Sequence, residues 1–113
     1  MNYIIKGIVI IGDGYGRKIG FPTVNLETEQ EGIYAEGVYS GSAILDGKKY
    51  KAGIVIGPKI ESKNKVEAHL IGYSGDAYGK EVTLETKSFL REYKKFYTES
   101  ELIAQIKEDL KLC

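Results

Sequence analysis

Short runs of apolar and β-branched residues alternate with turn signals along most of the chain, a pattern typical of β-strands. The runs cover residues 3–11, 37–45, 50–56, 66–71 and 82–84, the last extending toward Phe89. Between two of them, Asp46-Gly47 predicts a tight two-residue hairpin, because this pair suits the positive dihedral angles of such a turn. Five strands at this spacing in so short a chain predict a closed or nearly closed antiparallel barrel, since closure leaves no unpaired strand edge.

The pattern changes period near the C-terminus. Apolar residues recur there at helical spacing: Leu102, Ile103, Ile106 and Leu110. Just before them, Thr98 to Glu101 fits a capping box, in which Thr98 accepts a hydrogen bond from the backbone and Glu101 reaches back. We therefore expect an amphipathic helix that docks across a face or the mouth of the barrel.

The composition is that of an ordinary globular domain, with 113 residues, 42% hydrophobic and 28% charged. Sixteen basic and sixteen acidic residues cancel, which disfavours a nucleic-acid binder held by excess positive charge. A single cysteine excludes an internal disulfide framework and a multi-cysteine zinc site, and a single histidine disfavours a His-rich metal centre. No apolar stretch is long enough for a membrane span, and the first apolar run is too short for a signal peptide. We expect a single domain over residues 1–113, located in the cytoplasm.

The most unusual segment is the glycine-rich stretch GDGYGRKIG at 12–20. Glycines let the backbone approach a ligand closely and expose N–H donors to an anion, and Arg17 adds positive charge. That combination suits a phosphate site, although the stretch matches neither the P-loop nor the GxGxxG pattern. A flexible hairpin loop is the commoner interpretation of such a sequence.

The next segment, FPTVN at 21–25, supplies two neutral oxygen donors. Pro22 fixes its own backbone, and Thr23 and Asn25, two residues apart in extended chain, project to the same side. A hydroxyl and an amide carbonyl suit Mg²⁺, which takes few protein ligands and completes its coordination with phosphate and water. The same two residues can also satisfy backbone donors in a turn, and spacing alone favours that interpretation.

Alternation in the run 66–71 places Val66, Ala68 and Leu70 on one face of a strand and Glu67 and His69 on the other. If Glu67 faces a cleft, its carboxylate can accept the proton of a substrate hydroxyl during phosphoryl transfer. The alternative is a solvated strand glutamate. A lone strand histidine is more often packed or hydrogen-bonded than a catalytic base.

Aromatic and cationic residues are interleaved in LREYKKFY at 90–97. Such a run can stack on a planar ring or bind nucleic acid through stacking and charge. The alternative is a linker whose aromatic side chains pack into the core.

In this order, the segments resemble the riboflavin kinase (flavokinase) family, which includes the C-terminal module of bacterial bifunctional FAD synthetases. The stretch GRKIGFPTVN at 16–25 is similar to the family signature G-R-x-L-G-F-P-T-A-N. The resemblance continues through GVY at 37–39, VEAHL at 66–70, GDAYG at 75–79, LR and KKF within 90–96, and QIKED at 105–109. The Pro-Thr-x-Asn element is the most specific of these landmarks.

The resemblance implies a six-stranded antiparallel Greek-key barrel with a C-terminal helix. It also implies transfer of the γ-phosphoryl group of ATP to the 5′-hydroxyl of riboflavin, giving FMN, with Mg²⁺ as the cofactor. By position, Glu67 matches the catalytic residue of the family, and Thr23 and Asn25 match its Mg²⁺–nucleotide ligands. The ATP-binding positions implied are Gly12, Arg17, Thr23, Leu70, Gly72 and Tyr78, and the flavin-binding positions are Arg91, Lys94 and Phe96.

Two stretches depart from the family pattern. IVIGPKI at 54–60 stands where the family has A-N-I-G followed by R-P-T-F, and Glu92-Tyr93 replaces Pro-Glu. The expected function is nevertheless a kinase, and the alternative is a flavin- or nucleotide-binding barrel that is weakly active or does not catalyse. A nucleic-acid-binding barrel is disfavoured by the zero net charge. We expect a monomer that binds riboflavin or FMN and ATP or ADP, and neither nucleic acid nor membrane.

Overall fold

The computed structural model describes residues 2–10, 20–28, 34–60 and 63–113. These residues form a closed barrel in which every strand pair is antiparallel, followed by a C-terminal helix at Glu99–Lys111. The strands are β1 (Ile4–Ile10), β2 (Val24–Thr28), β3 (Gly37–Leu45), β4 (Lys48–Ile60), β5 (Lys63–Leu70) and β6 (Glu81–Arg91). Around the barrel they follow the order β1-β2-β5-β4-β3-β6. The predicted six-stranded barrel with its C-terminal helix is confirmed.

The predicted strand runs and hairpin are present, together with one additional strand, and several strand ends differ from the predicted runs. β2 was not among the strands predicted from periodicity, because its five residues VNLET carry too short an apolar pattern. β4 begins two residues before the predicted run and extends four residues beyond it, through Gly57, Pro58, Lys59 and Ile60. The β3–β4 hairpin turns at Asp46 and Gly47 with φ of 52° and 75°, as a two-residue turn of this type requires.

The interior of the barrel is filled by the inward-facing side chains of its strands. Fully buried members include Ile5, Ile54, Ala68, Val82 and Leu84, each 0% exposed. A small barrel of this kind fills its lumen with side chains, so a ligand site must be built on its outer surface or at its ends. The face assignment predicted for β5 is confirmed, with Val66, Ala68 and Leu70 buried and Glu67 and His69 half-buried on the other side.

The C-terminal helix packs on the outside of the barrel against β3 and β4. Its N-terminus is capped as predicted, because the Thr98 hydroxyl accepts a hydrogen bond of 3.2 Å from the backbone N–H of Glu101. Gly53 on β4 allows the close approach, since a Cβ there would lie 3.3 Å from Cδ2 of Leu110. No helix in the described part of the chain is long and apolar enough to cross a membrane.

Gly41 lies where the pairing of β3 with β6 changes register, between Ser40 and Gly41. A side chain at Gly41 would overlap the backbone carbonyl of Glu85 and approach Cδ1 of Ile54 to 2.9 Å. We expect Gly41→Ala to lower the free energy of unfolding by about 3 kcal/mol, the upper end for overpacking, because a backbone carbonyl cannot move aside as a side chain does.

Gly57→Ala is the matched control, since a Cβ at that buried glycine would meet its nearest described neighbour, the Lys65 carbonyl oxygen, at 3.5 Å. Urea denaturation of both variants measures the difference. Equal losses of stability would contradict the close β3–β6 approach at Gly41.

Candidate active site

A cavity of about 290 Å³ lies between the outer face of the barrel and the C-terminal helix. Its volume is near the lower end of the range for small-molecule sites, roughly 300–1,000 Å³. One wall is formed by Phe21, Thr23, Glu67 and His69, and another by Arg91, Tyr93, Lys94 and Phe96. The helix contributes Leu102, Ile106, Asp109 and Leu110, which close the cavity from above the sheet.

The first wall depends on the pairing of β2 with β5. Asn25 is the direct partner of Glu67 in this antiparallel ladder. Partners in such a ladder project to the same face, so both side chains lie on the outside of the barrel. Thr23 directly precedes β2 and lines the same cavity as Glu67. The structure therefore brings Thr23, Asn25 and Glu67 together, and Asn25 lies in a strand rather than in a turn.

His69 anchors the chain that leads into β2. Its Nδ1 lies 2.7 Å from the carbonyl oxygen of Pro22, and its ring stacks edge-on against Phe21 with centroids 6.1 Å apart. A carbonyl oxygen only accepts, so Nδ1 carries the proton of this hydrogen bond. The prediction of a packed, hydrogen-bonded histidine is confirmed.

The helix is attached to the end of β6 by an ion pair with forked geometry. Arg91 Nε donates to Oδ1 and Oδ2 of Asp109 at 3.0 and 3.1 Å, and Arg91 Nη2 donates to Oδ2 at 2.9 Å. Gln105 Nε2 donates to Oδ1 at 3.0 Å, one helical turn earlier. Asp109 is only 7% exposed, so its charge is neutralised largely by these donors.

Sequence reasoning did not assign a role to Asp109, although a signal was present. An acidic residue near the C-terminal end of a helix interacts unfavourably with the helix dipole. When such a residue is buried, it therefore needs a cationic side chain from another part of the chain. The QIKED pattern also spaces Gln105 and Asp109 for a contact across one turn.

Phe96 lies in the second wall with two cationic side chains beside its ring. Lys94 Nζ lies 5.2 Å and Arg91 Cζ lies 5.6 Å from its ring centroid, within the range of cation–π contacts. The three residues predicted to contact a flavin thus meet at one cavity. Tyr93, one of the departures from the family pattern, also lines it and was not predicted as a wall residue.

Cys113 follows the C-terminal end of the helix and carries a free thiol. Its Sγ donates to the carbonyl of Asp109 at 3.4 Å. Burial, and then the charge of Asp109, raise the pKa of the thiol above its usual value. Cys113 is therefore protonated at neutral pH and offers no thiolate nucleophile.

Three of the remaining predicted nucleotide positions, Leu70, Gly72 and Tyr78, are not among the described residues that line this cavity. Leu70 is 4% exposed and belongs to the barrel core, whereas Tyr78 is 59% exposed. Gly72 lies in the turn after β5 with φ of 85°. Gly12 and Arg17 lie outside the described residues. These ATP-binding assignments remain predictions.

A family model described as Flavokinase, riboflavin kinase, matches residues 1–113. The bifunctional riboflavin kinase/FMN adenylyltransferase of Bacillus subtilis is 36% identical over 114 residues, covering 95% of this chain and 36% of the relative. The chain spans well under half the length of the curated relatives it matches.

Solved structures share the fold. The crystal structure of a macrolide-efflux protein from Streptococcus pneumoniae is similar with a TM-score of 0.88 and 27% identity, over 96% of this chain and 37% of that one. The riboflavin kinase of Trypanosoma brucei has a TM-score of 0.74 and 20% identity, over 98% of this chain and 74% of that one.

Asp109→Asn tests whether the ion pair holds the helix over the cavity. The substitution keeps the size of the side chain but removes the charge that Arg91 binds. We expect the free energy of unfolding to fall by about 1.5–3 kcal/mol, the range for hydrogen bonds to charged groups.

Glu108→Gln is the control, because it removes the same charge one residue earlier. There the ion pair with Lys111 is exposed, and such pairs contribute about 0–1 kcal/mol. Chemical denaturation of both variants measures the two losses. If Asp109→Asn cost no more than Glu108→Gln, the Arg91–Asp109 pair would not be what fastens the helix.

Proposed function

The chain belongs to the riboflavin kinase family over residues 1–113, and from that premise we propose that it transfers the γ-phosphoryl group of ATP to the 5′-hydroxyl of riboflavin, giving FMN and ADP. One observation carries the proposal. Glu67 lines the same cavity as Thr23 and is the direct strand partner of Asn25. A carboxylate that can accept a proton thus lies beside neutral oxygen donors suited to the phosphate side of the reaction.

Glu67 is the proposed general base. A bond forms between the 5′-oxygen of riboflavin and the γ-phosphorus while the bond from that phosphorus to the leaving ADP oxygen breaks. The hydroxyl proton passes to the Glu67 carboxylate. Because the transition state of such transfers is loose, positioning and charge stabilisation contribute more than the base.

Thr23 and Asn25 are the proposed protein ligands of a divalent cation, which we take to be Mg²⁺. Among the described residues, no three His, Cys, Asp or Glu side chains come together to hold a metal. Thr23 and Asn25 offer a cation two neutral oxygens, and a hydroxyl beside an amide suits Mg²⁺ that is also bound by nucleotide phosphates. When bound, Mg²⁺ neutralises the phosphate charge that develops during transfer.

The aromatic wall is the proposed flavin site. Phe96 and Tyr93 present rings to the cavity, and Lys94 adds a cation close to the Phe96 ring. Arg91 is already engaged by Asp109 and by the carbonyl of Glu92. We therefore assign stacking on the isoalloxazine to Phe96 and Tyr93, and assign to Arg91 the placement of the segment that carries them.

Glu67→Gln keeps the shape of the side chain and removes its basicity. We expect kcat for FMN formation to fall about 100-fold, the lower end for general bases, with riboflavin and ATP affinities little changed. FMN and ADP are separated by chromatography after incubation with riboflavin, ATP and Mg²⁺. Glu85→Gln, on the outer face of β6 and away from the cavity, is the matched control.

Full activity in Glu67→Gln would refute the assignment of the base. Flavin binding without FMN formation by the unsubstituted protein would refute the kinase and favour a barrel that binds flavin without catalysis.

Phe96→Ala tests the flavin wall. Loss of an aromatic stacking partner costs about 0.5–1.5 kcal/mol beyond burial, so riboflavin should bind several-fold to tenfold more weakly. Quenching of flavin fluorescence measures the affinity. Tyr97→Ala is the control, because this neighbouring ring is 99% exposed. Equal effects of the two substitutions, or a loss confined to ATP affinity, would place the flavin elsewhere.

A further inference from the structure

His69 connects the strand that carries Glu67 to the segment that carries Thr23, and we propose that it is the positioning residue for Thr23. The connection is the 2.7 Å hydrogen bond from its Nδ1 to the carbonyl oxygen of Pro22. The inference rests on the proposed function, because it concerns how the oxygen donor next to Pro22 is held for Mg²⁺ and nucleotide.

The backbone cannot provide this connection by itself. The β2–β5 ladder pairs Leu26 with Val66, Asn25 with Glu67 and Val24 with Ala68. Beyond Val24 the chain reaches Pro22, which has no N–H to donate across the ladder. The imidazole of His69 instead donates a hydrogen bond to the carbonyl oxygen, the backbone polar group that Pro22 retains. Thr23 is thus held between the last ladder pair on one side and the His69 hydrogen bond on the other.

The segment that His69 holds has little internal freedom. Proline fixes its own φ, and the residue before a proline, here Phe21, is restricted to extended conformations. Gly20, with φ of 90°, begins the segment in a conformation that side chains disfavour. What remains adjustable is the angle of residues 21–23 against β5. His69 sets that angle by its hydrogen bond and by edge-on contact with Phe21.

Glu67 and His69 lie two residues apart on the same face of β5. One rigid strand therefore positions the proposed base directly and the proposed metal ligand through Pro22. Loss of the hydrogen bond should loosen Thr23 while Glu67 and the aromatic wall stay in place. We therefore expect a change in the Mg²⁺ and ATP concentrations that the reaction requires, and no change in the affinity for riboflavin.

Three substitutions of His69 distinguish the contribution of its hydrogen-bond donor from that of the size of its side chain. In His69→Asn, the amide nitrogen occupies the place of Nδ1 and can still donate. In His69→Gln, the amide reaches instead toward the place of Nε2, and His69→Leu has no donor at all. We expect the Gln and Leu variants to need about three- to tenfold more Mg²⁺ and ATP for half-maximal rate, which is the worth of one neutral hydrogen bond.

The Asn variant should stay close to the unsubstituted protein in these constants, and all three should keep its riboflavin KM. Unchanged Mg²⁺ and ATP requirements in the Leu variant would overturn the proposal. So would a loss in the Asn variant as large as that in the Leu variant.

Two measurements need no catalysis. The imidazole ¹⁵N spectrum of the unsubstituted protein should show the proton of the neutral ring on Nδ1, and calorimetry should show weaker MgADP binding in the Gln and Leu variants than in the Asn variant. If no FMN forms but both results hold, the kinase proposal fails and the role of His69 stands. If FMN forms but the ring is protonated on Nε2 alone, the role of His69 fails and the kinase stands.

Discussion

The pairing of β2 with β5 is the constraint on which the rest of the site depends. It places Asn25 opposite Glu67 on the outside of the barrel while Leu26 and Val66 pair toward the core. Side chains alternate along a strand, so a slip of one residue would turn Glu67 inward and Val66 outward. Burying a carboxylate among apolar side chains is far more costly than the loss of one ladder pair. The apolar core therefore enforces the register that displays the polar residues of the site.

Because the lumen of the barrel is packed, the site needs a second element to exclude water from an outer face. The C-terminal helix supplies that cover, and the Arg91–Asp109 pair fixes where it docks. An ion pair of this kind adds little net stability over an apolar contact, since both charges lose solvation. Its forked geometry does determine one docking position, and Gln105 satisfies Asp109 further. The same guanidinium contacts Phe96, so helix docking and the aromatic wall are coupled through one side chain.

Local patterns in the sequence predict most of the barrel and part of the site. Alternation predicts β5 and the face of Glu67, and the capping residue Thr98 predicts where the helix starts. The end of β4 is not predictable in this way, because Gly57 and Pro58 interrupt the apolar pattern while an irregularity between Ile56 and Lys59 lets pairing continue.

Local patterns do not identify the two partners of an interaction that depends on tertiary docking. Arg91 and Asp109 are 18 residues apart, and His69 and Pro22 are 47 apart. Neither pair shows a periodicity. Docking of the helix brings Arg91 and Asp109 together, and the fold of the barrel brings His69 and Pro22 together. Binding a flavin by itself would require only the aromatic wall around Phe96. The cavity also has an opposite wall that includes Thr23 and Glu67, and these two polar side chains contribute nothing to ring stacking. In the proposed reaction, a planar ring on one wall would leave its polar chain to reach toward the other, where its hydroxyl would meet the proposed base and the phosphate. That division of the cavity supports the proposed transferase activity over passive flavin binding.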